Sequence, residues 1–500
     1  MDKKKVIIIG AGIAGVTAAI KLLQSGYDVE MYDKNDNIGG LCTGYFVKGH
    51  YVDACLHWLI GTKEGSTINR RWVNNGMLDE NTKLVGLKTL GSFEYEGKTV
   101  TFYRDLDKTE EEWTSLFPED KKQIHKFFIK VKSFSKTLNL MDQFGVTIKG
   151  YFATFAALLK IVYGSSGIFK TRKYSRFSYA EKYFKSEALR FALKNVQNGY
   201  NNMLFFMYEY ACFYNGDLDL PVGGAYYMME RAKERFLSLG GKLFLNTPIT
   251  EVIYENNVVK GVITEDETKY ADAVISTVDP MYTLKVLLND KFKDKKFNKM
   301  YKNEDKHPVV SCFTAYFTIK ADLSNLDVPV GLHVKPIKIG ASETDFLMFR
   351  SYHLDSENFI KDGKTVISVL VDQSSKDFEY WHKLYEEASE LYERDCKRII
   401  KEIKNRIEER YPEYKGKIEY LTSFGPLEIK KRNNNSFGAL QAFSYSDKDG
   451  IFMHNFKVKK LKGFFMASQW SKSVGGTPIA TTNGDGVVKE VRLYFKDKDI

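Results

Sequence analysis

Three observations predict an α/β fold class: a discontinuous Rossmann-like dinucleotide-binding domain, joined to an α+β domain. The first is a β-branched run, Val6–Ile9, that opens directly into Gly10-Ala11-Gly12-Ile13-Ala14-Gly15 and then into a helix rich in small residues. The second is a strand, glycine loop and helix in the same order at the far end, between Lys462 and Tyr494. The third is an alternation of helix and strands over residues 221–280, which extends such a sheet. At about 100–200 residues per domain, 500 residues hold two or three cores. The division expected is 1–65, 221–280 and 455–500 for the nucleotide domain, with 85–220 and 281–454 forming a substrate domain with a helical cap.

Val6–Ile9 has the composition of a strand buried on both faces, and Val16–Leu23 that of a helix whose Ala18 and Ala19 allow close packing on a sheet. Gly10 permits the tight turn, Gly12 lets a pyrophosphate approach the backbone, and Gly15 brings helix and strand together. Ala14 lies in the same first turn, where unpaired N–H groups and the positive dipole end attract phosphate. A second strand, Asp28–Tyr32, ends at Asp33, followed by Lys34. A carboxylate there can accept from both ribose hydroxyls of an adenosine and would repel a 2′-phosphate. The segment from Asp33 to Gly39-Gly40 resembles the extended dinucleotide signature of FAD enzymes of the glutathione-reductase and amine-oxidase type, which implies FAD rather than NAD.

At the far end, Lys462–Ser468 reads as a strand and Ile479–Tyr494 as a helix, with Gly475-Gly476-Thr477-Pro478 between them. That loop is either a plain turn or a helix start that meets the flavin ring. In the middle, a helix is expected over Ala225–Leu239 and strands over Lys242–Leu245, Ile249–Glu255, Val258–Thr264 and Ala271–Thr277. Asn256-Asn257 makes a two-residue hairpin turn, because Asn tolerates positive φ. Val252 is a further candidate cofactor contact. Residues 107–220 read mostly as helices, 307–372 as a second sheet, and 377–410 as one long charged helix on the surface.

Tyr151–Tyr163 is apolar and is followed by Lys170, Arg172, Lys173 and Arg176, which suits either a helix in a membrane interface or a buried core helix. Met203–Tyr214 could line a greasy tunnel or simply pack a core. A net charge of +10, from 74 basic and 64 acidic residues scattered along the chain, argues against nucleic-acid binding and leaves a weak attraction to anionic membranes. Five cysteines without CxxC spacing argue against a disulfide framework and against any metal site. No uncharged apolar run reaches the length of a transmembrane helix. A cytoplasmic protein, membrane-associated at most peripherally, is expected.

The signature through Gly40, the segment Val52-Asp53-Ala54-Cys55-Leu56-His57-Trp58, the Pro221-Val222-Gly223-Gly224 stretch and the terminal Met466–Pro478 together resemble the phytoene desaturase family, most of all its carotenoid isomerase and retinol saturase branch. Cys55 and Ala467-Ser468-Gln469 depart from that family's usual glycines. The resemblance implies an amine-oxidase/phytoene-desaturase-type architecture. It also implies an enzyme that makes, reduces or isomerises C=C bonds in a carotenoid, retinoid or other lipid by hydride exchange with FAD. His57 is the candidate proton donor or acceptor if it titrates near neutrality, and otherwise a packing residue beside Trp58. A flavin-dependent amine oxidase and a lipid-binding flavoprotein without turnover are the competing readings. No second GxGxxG supports a docked NAD(P)H, so the electron partner stays open among oxygen, quinone and a diffusing reductant.

Overall fold

The computed structural model describes residues 3–144, 167–197, 202–304, 306–326, 328–444, 452–472 and 474–496. Five parallel strands form one sheet: β1 (Lys5–Ile9), β2 (Asp28–Tyr32), β3 (Lys242–Phe244), β4 (Ala273–Ser276) and β5 (Phe464–Met466), in the order β3-β2-β1-β4-β5. The apolar run Val6–Ile9 occupies the centre, paired through Val6 to Val29 on one side and to Ala273 on the other. Both its faces are buried, which is why it carries no alternation of polar residues.

The helices that matter to the site are α1 (Ile13–Gln24), α2 (Met203–Tyr214), α3 (Gly224–Ser238) and α4 (Thr477–Phe495). Helix α1 starts at Ile13, earlier than the expected Val16, because Gly12 already serves as its cap. Helix α4 likewise starts at Thr477, since Pro478 is tolerated in a first turn where its missing N–H has no partner to lose. These two helices pack closely. A Cβ at Gly484 would fall 2.5 Å from the Ala14 carbonyl oxygen. The Thr17 and Thr481 hydroxyls meet at 3.2 Å, and the Asn75 amide donates to both.

Glu251–Glu255, Val258–Ile263 and Thr268–Tyr270 make a separate antiparallel sheet. Its first turn holds Asn256 and Asn257 at φ 49° and 60°, the mirror-image geometry that matches strand twist. The second large sheet runs in the order Ile418–Phe424, Ser311–Ile319, Lys364–Gln373, Ser342–Ser351, Val330–Ile339, Thr89–Tyr95, Lys98–Tyr103. It thus extends the sheet expected over 307–372 on both sides. One face carries the core of Phe313, Phe317, Val369 and Trp381.

The single charged helix expected over 377–410 is two helices, Ser375–Glu387 and Ser389–Arg410, broken at Ala388 (φ −160°, ψ 84°). Nor is it wholly solvated: Ile399, Ile403 and Ile407, at helical spacing, are fully buried in the core against this sheet. The apolar stretch Tyr151–Tyr163 lies outside the described residues. Of its expected cationic flank, Lys170, Arg172 and Lys173 are exposed, whereas Arg176 is buried and donates to the carbonyls of Leu193, Lys194 and Gln197. No helix among the described residues is long and apolar enough to cross a membrane.

Ile403→Ala removes a fully buried side chain from the face that holds the charged helix to the sheet. It is expected to cost about 2–5 kcal/mol, read as a lower midpoint in chemical unfolding.

Candidate active site

A cavity of about 570 Å3 opens at the carboxyl ends of β1, β2 and β4 and continues over the large antiparallel sheet. Gly10, Gly12, Ala14, Asp33, Lys34, Gly39, Gly40, His57, Gly475, Gly476, Thr477 and Pro478 all line it. Gly15 does not. It lies beneath the turn, where a Cβ would collide with the Gly10 carbonyl, and so sets how closely α1 approaches β1.

The turn is built by short backbone bonds. The Gly10 N–H donates to the Tyr32 carbonyl at 2.8 Å, with Gly10 at φ 99°, a conformation glycine adopts without strain. The Gly39 N–H donates to the Ala11 carbonyl at 2.8 Å, which lays the second glycine pair beside the first. Helices α1 and α4 both begin at a glycine whose absent side chain leaves their leading N–H groups uncapped. A Cβ on Gly12 would meet nothing nearer than the Gly39 carbonyl oxygen at 3.8 Å, so the space beside that N-terminus is open.

Asp33 is buried, and its carboxylate accepts from the Ala11 N–H at 2.8 Å and from the Asn35 backbone and amide N–H groups at 2.9 Å. Burial raises its pKa against those bonds. With about four acceptor positions on a carboxylate, one remains for a ribose hydroxyl, not the two that the sequence suggested. Lys34 is tied to the Lys431 carbonyl at 2.7 Å and to Asn434 at 3.2 Å. An uncapped helix start, an open glycine surface and an acidic strand end fit an adenine dinucleotide with its pyrophosphate on α1.

Val252 lies elsewhere. Its side chain is buried in the core with Val259, Val262 and Leu284, and Thr247, Pro248 and Ile249 line the cavity instead. The alternation of the strand decides this, turning Val252 to the inner face. Arg432, not expected from sequence, lines the cavity with its guanidinium 4.9 Å from the Tyr45 ring and bonded to Asn37, while its Nε has no partner among the described residues.

Asp53 organises the next segment. Its buried carboxylate accepts from the backbone N–H groups of Cys55 at 2.8 Å, Leu56 at 2.7 Å and Ala225 at 2.6 Å, and from the Tyr51 hydroxyl at 3.2 Å. A Cβ on Gly224 would strike this carboxylate, and one on Gly223 would strike the Tyr227 ring, which accounts for the pair. Burial pushes the Asp53 pKa up to about 6, with the three backbone N–H bonds opposing it. The Tyr316 hydroxyl donates to the Asp53 carbonyl at 2.8 Å, joining this loop to the antiparallel sheet.

The loop delivers His57 and Trp58 to the cavity. The expectation that His57 titrates near neutrality fails: burial, and then the positive charge of Arg350, hold its pKa well below the ordinary value. Its Nδ1 finds no hydrogen-bond partner among the described residues. Helix α2 divides between the two roles weighed for it. Met203, Phe206, Met207 and Tyr210 pack the core, while Leu204, Phe205, Tyr208 and Glu209 line the cavity. Burial drives the Glu209 carboxyl up to about 8, against Arg176, a bond with Trp58, and Arg350. It is therefore largely protonated at neutral pH.

Glycine-capped helix starts and an acidic strand end on one cavity fit an adenine dinucleotide, and the family to which the chain belongs makes that cofactor FAD. The chain belongs to the flavin containing amine oxidoreductase family, whose model matches residues 13–409. It is 25% identical to a 1-hydroxycarotenoid 3,4-desaturase of Flavobacterium sp., over 92% of this chain and 93% of that one. It is 24% identical to a 4,4'-diaponeurosporene oxygenase of Staphylococcus haemolyticus, over 65% of this chain and 64% of that relative's length. An oxidoreductase from Methanosarcina mazei shares the fold, with a TM-score of 0.60 at 15% identity, over 97% of this chain and 100% of that one.

Because the folded-state pKa of Glu209 is raised, the stability it contributes is fully present below the ordinary carboxylate range and is lost as pH rises toward 8. Glu209→Gln removes this dependence. Thermal unfolding followed from pH 5 to 8.5 should therefore show a smaller fall in Tm for the variant than for the wild type.

Proposed function

We propose that this chain makes, reduces or isomerises C=C bonds in a long apolar substrate, of the carotenoid, retinoid or other isoprenoid or lipid kind, by hydride exchange with FAD. One observation carries the reading. The same cavity runs from the glycine turns to an apolar wall of Ile60, Phe134, Leu204, Phe205, Leu370 and Leu440. The carotenoid chemistry named for two relatives points the same way.

Gly10, Gly12, Ala14, Gly39 and Gly40 would surround the pyrophosphate, with Gly15 fixing the helix behind them. Asp33 would take the ribose, with Lys34 and Arg432 offsetting charge nearby. Gly475, Gly476, Thr477 and Pro478 would present a second helix start to the ring. Bound FAD supplies a reversible hydride acceptor for chemistry at carbon. The apolar wall excludes water and holds an extended chain in one orientation. Glu209, protonated below about pH 8, holds a proton facing that wall. His57 is kept neutral, because burial and the Arg350 charge disfavour its protonated form, and so it serves as a neutral hydrogen-bonding group more readily than as a proton carrier.

Two measurements test this. Gly12→Ala should keep the unfolding midpoint close to wild type, because the Cβ has room in the protein, yet lower the flavin-to-protein ratio severalfold. Anaerobically purified holoenzyme, mixed in turn with carotenoids, retinoids, unsaturated acyl compounds and simple amines, should show flavin bleaching or double-bond rearrangement only with the apolar substrates. Bleaching by an amine and by no lipid would replace the proposal with an amine oxidase.

A further inference from the structure

Two buried arginines flank Glu209, and they differ in one respect. Arg176 spends its guanidinium on three backbone carbonyls. Arg350, only 6% exposed, stands on strand Ser342–Ser351 with its side chain in the cavity wall, and no hydrogen bond from its guanidinium is made among the described residues. No carboxylate lies within 4.0 Å of it there, although Glu209 is near enough to influence its charge. What holds it is the face of Trp58, 5.3 Å from the guanidinium carbon. A desolvated cation without a bonded counter-charge is costly, and the five N–H donors of a guanidinium suit two parallel bonds to a carboxylate.

The surroundings repeat the pattern. Among the described residues, Gln197, 4% exposed and in the same cavity wall, has neither amide atom bonded, and the His57 Nδ1 is equally unpaired. Three polar groups with unmade bonds, lining one cavity with a largely apolar wall, mark a place for a ligand's polar end. The Trp58 ring offers Arg350 a π face without using any of its N–H donors.

We propose that Arg350, with Gln197 and His57, anchors a carboxylate at one end of the elongated apolar substrate. This rests on the lipid reading above and narrows it, from any long apolar molecule to one with an anionic terminus. A substrate held by its end presents a fixed distance along its chain to the reacting region, so the anchor also selects which double bond reacts.

The test uses the holoenzyme and two probes that share one polyene and differ at its end, the charged retinoic acid and its neutral methyl ester, titrated by quenching of tryptophan fluorescence. Charge-assisted bonds of this kind predict that the acid binds about ten- to a hundredfold more tightly than the ester. Arg350→Met should bring the acid down to the ester's affinity while leaving the ester, the flavin content and the flavin spectrum unchanged. Arg350→Lys should retain part of the preference. Gln197→Leu, a milder change, should reduce it severalfold and keeps the test open if Arg350→Met fails to fold.

Equal affinities of acid and ester in the wild type would overturn the anchor. So would an Arg350→Met protein that loses flavin or shifts its spectrum but still prefers the acid, since the guanidinium would then serve the cofactor. A preference for the acid that depends on Arg350, with no double bond altered in any probe, supports the anchor and removes the reaction class instead. Turnover of hydrocarbon polyenes with no preference for acids removes the anchor and leaves the reaction class standing.

Discussion

The first turn of the chain and the helix that leaves it stand so close that no methyl group fits between them. At Gly15 the helix backbone rests against the Gly10 carbonyl, and at Gly484 the last helix rests against the Ala14 carbonyl. Helix α1 is thus clamped between β1 and α4, and the direction of its free N–H groups follows from the clamp, not from any side chain at its start. Both contacts depend on glycine, whose conformational cost in a helix is offset by the packing it permits. The cavity's polar end inherits its shape from this arrangement. If α1 moved outward, Ala11 would leave Asp33, and Gly39 would lose its acceptor.

A second clamp, at Asp53, does for the apolar end what the glycines do for the polar one. Its carboxylate gathers three backbone N–H groups from two segments far apart in sequence, and the neighbouring carbonyl takes the Tyr316 hydroxyl. The loop bearing His57 and Trp58 is thereby fixed to both α3 and the large antiparallel sheet. Because Arg350 comes from that sheet and Trp58 from that loop, their stacking depends on Asp53 without either touching it.

How much of this was legible in the sequence follows the distance over which each feature is determined. The first turn, β1, β2 and the Asn256-Asn257 hairpin are local, and the residue order alone specifies them. The break at Ala388 was not legible, since alanine is a good helix former and no capping side chain marks the start of the second helix. Val252 was misjudged because which face of a strand meets a cavity depends on register with other strands. Glu209, Arg350 and Arg432 carry no motif, and they reach one cavity only through packing of segments that are far apart in the chain. Asp33 was recognised, but the Ala11 N–H that occupies part of its carboxylate comes from another segment and belongs to tertiary detail.

The sheet order β3-β2-β1-β4-β5 also has a temporal meaning. Strand β5 and helix α4, residues 464–495, are synthesised about 450 residues after the first turn, yet they cover β4 and the outer side of α1. Until then β4 presents an open edge, and α1 leaves the apolar residues that meet α4 to water. A nascent chain therefore carries its nucleotide motif long before it can close around the ligand. The same dependence makes the last helix a quality check on the first: a lesion that keeps the two apart leaves an intact motif in a fold that cannot be completed.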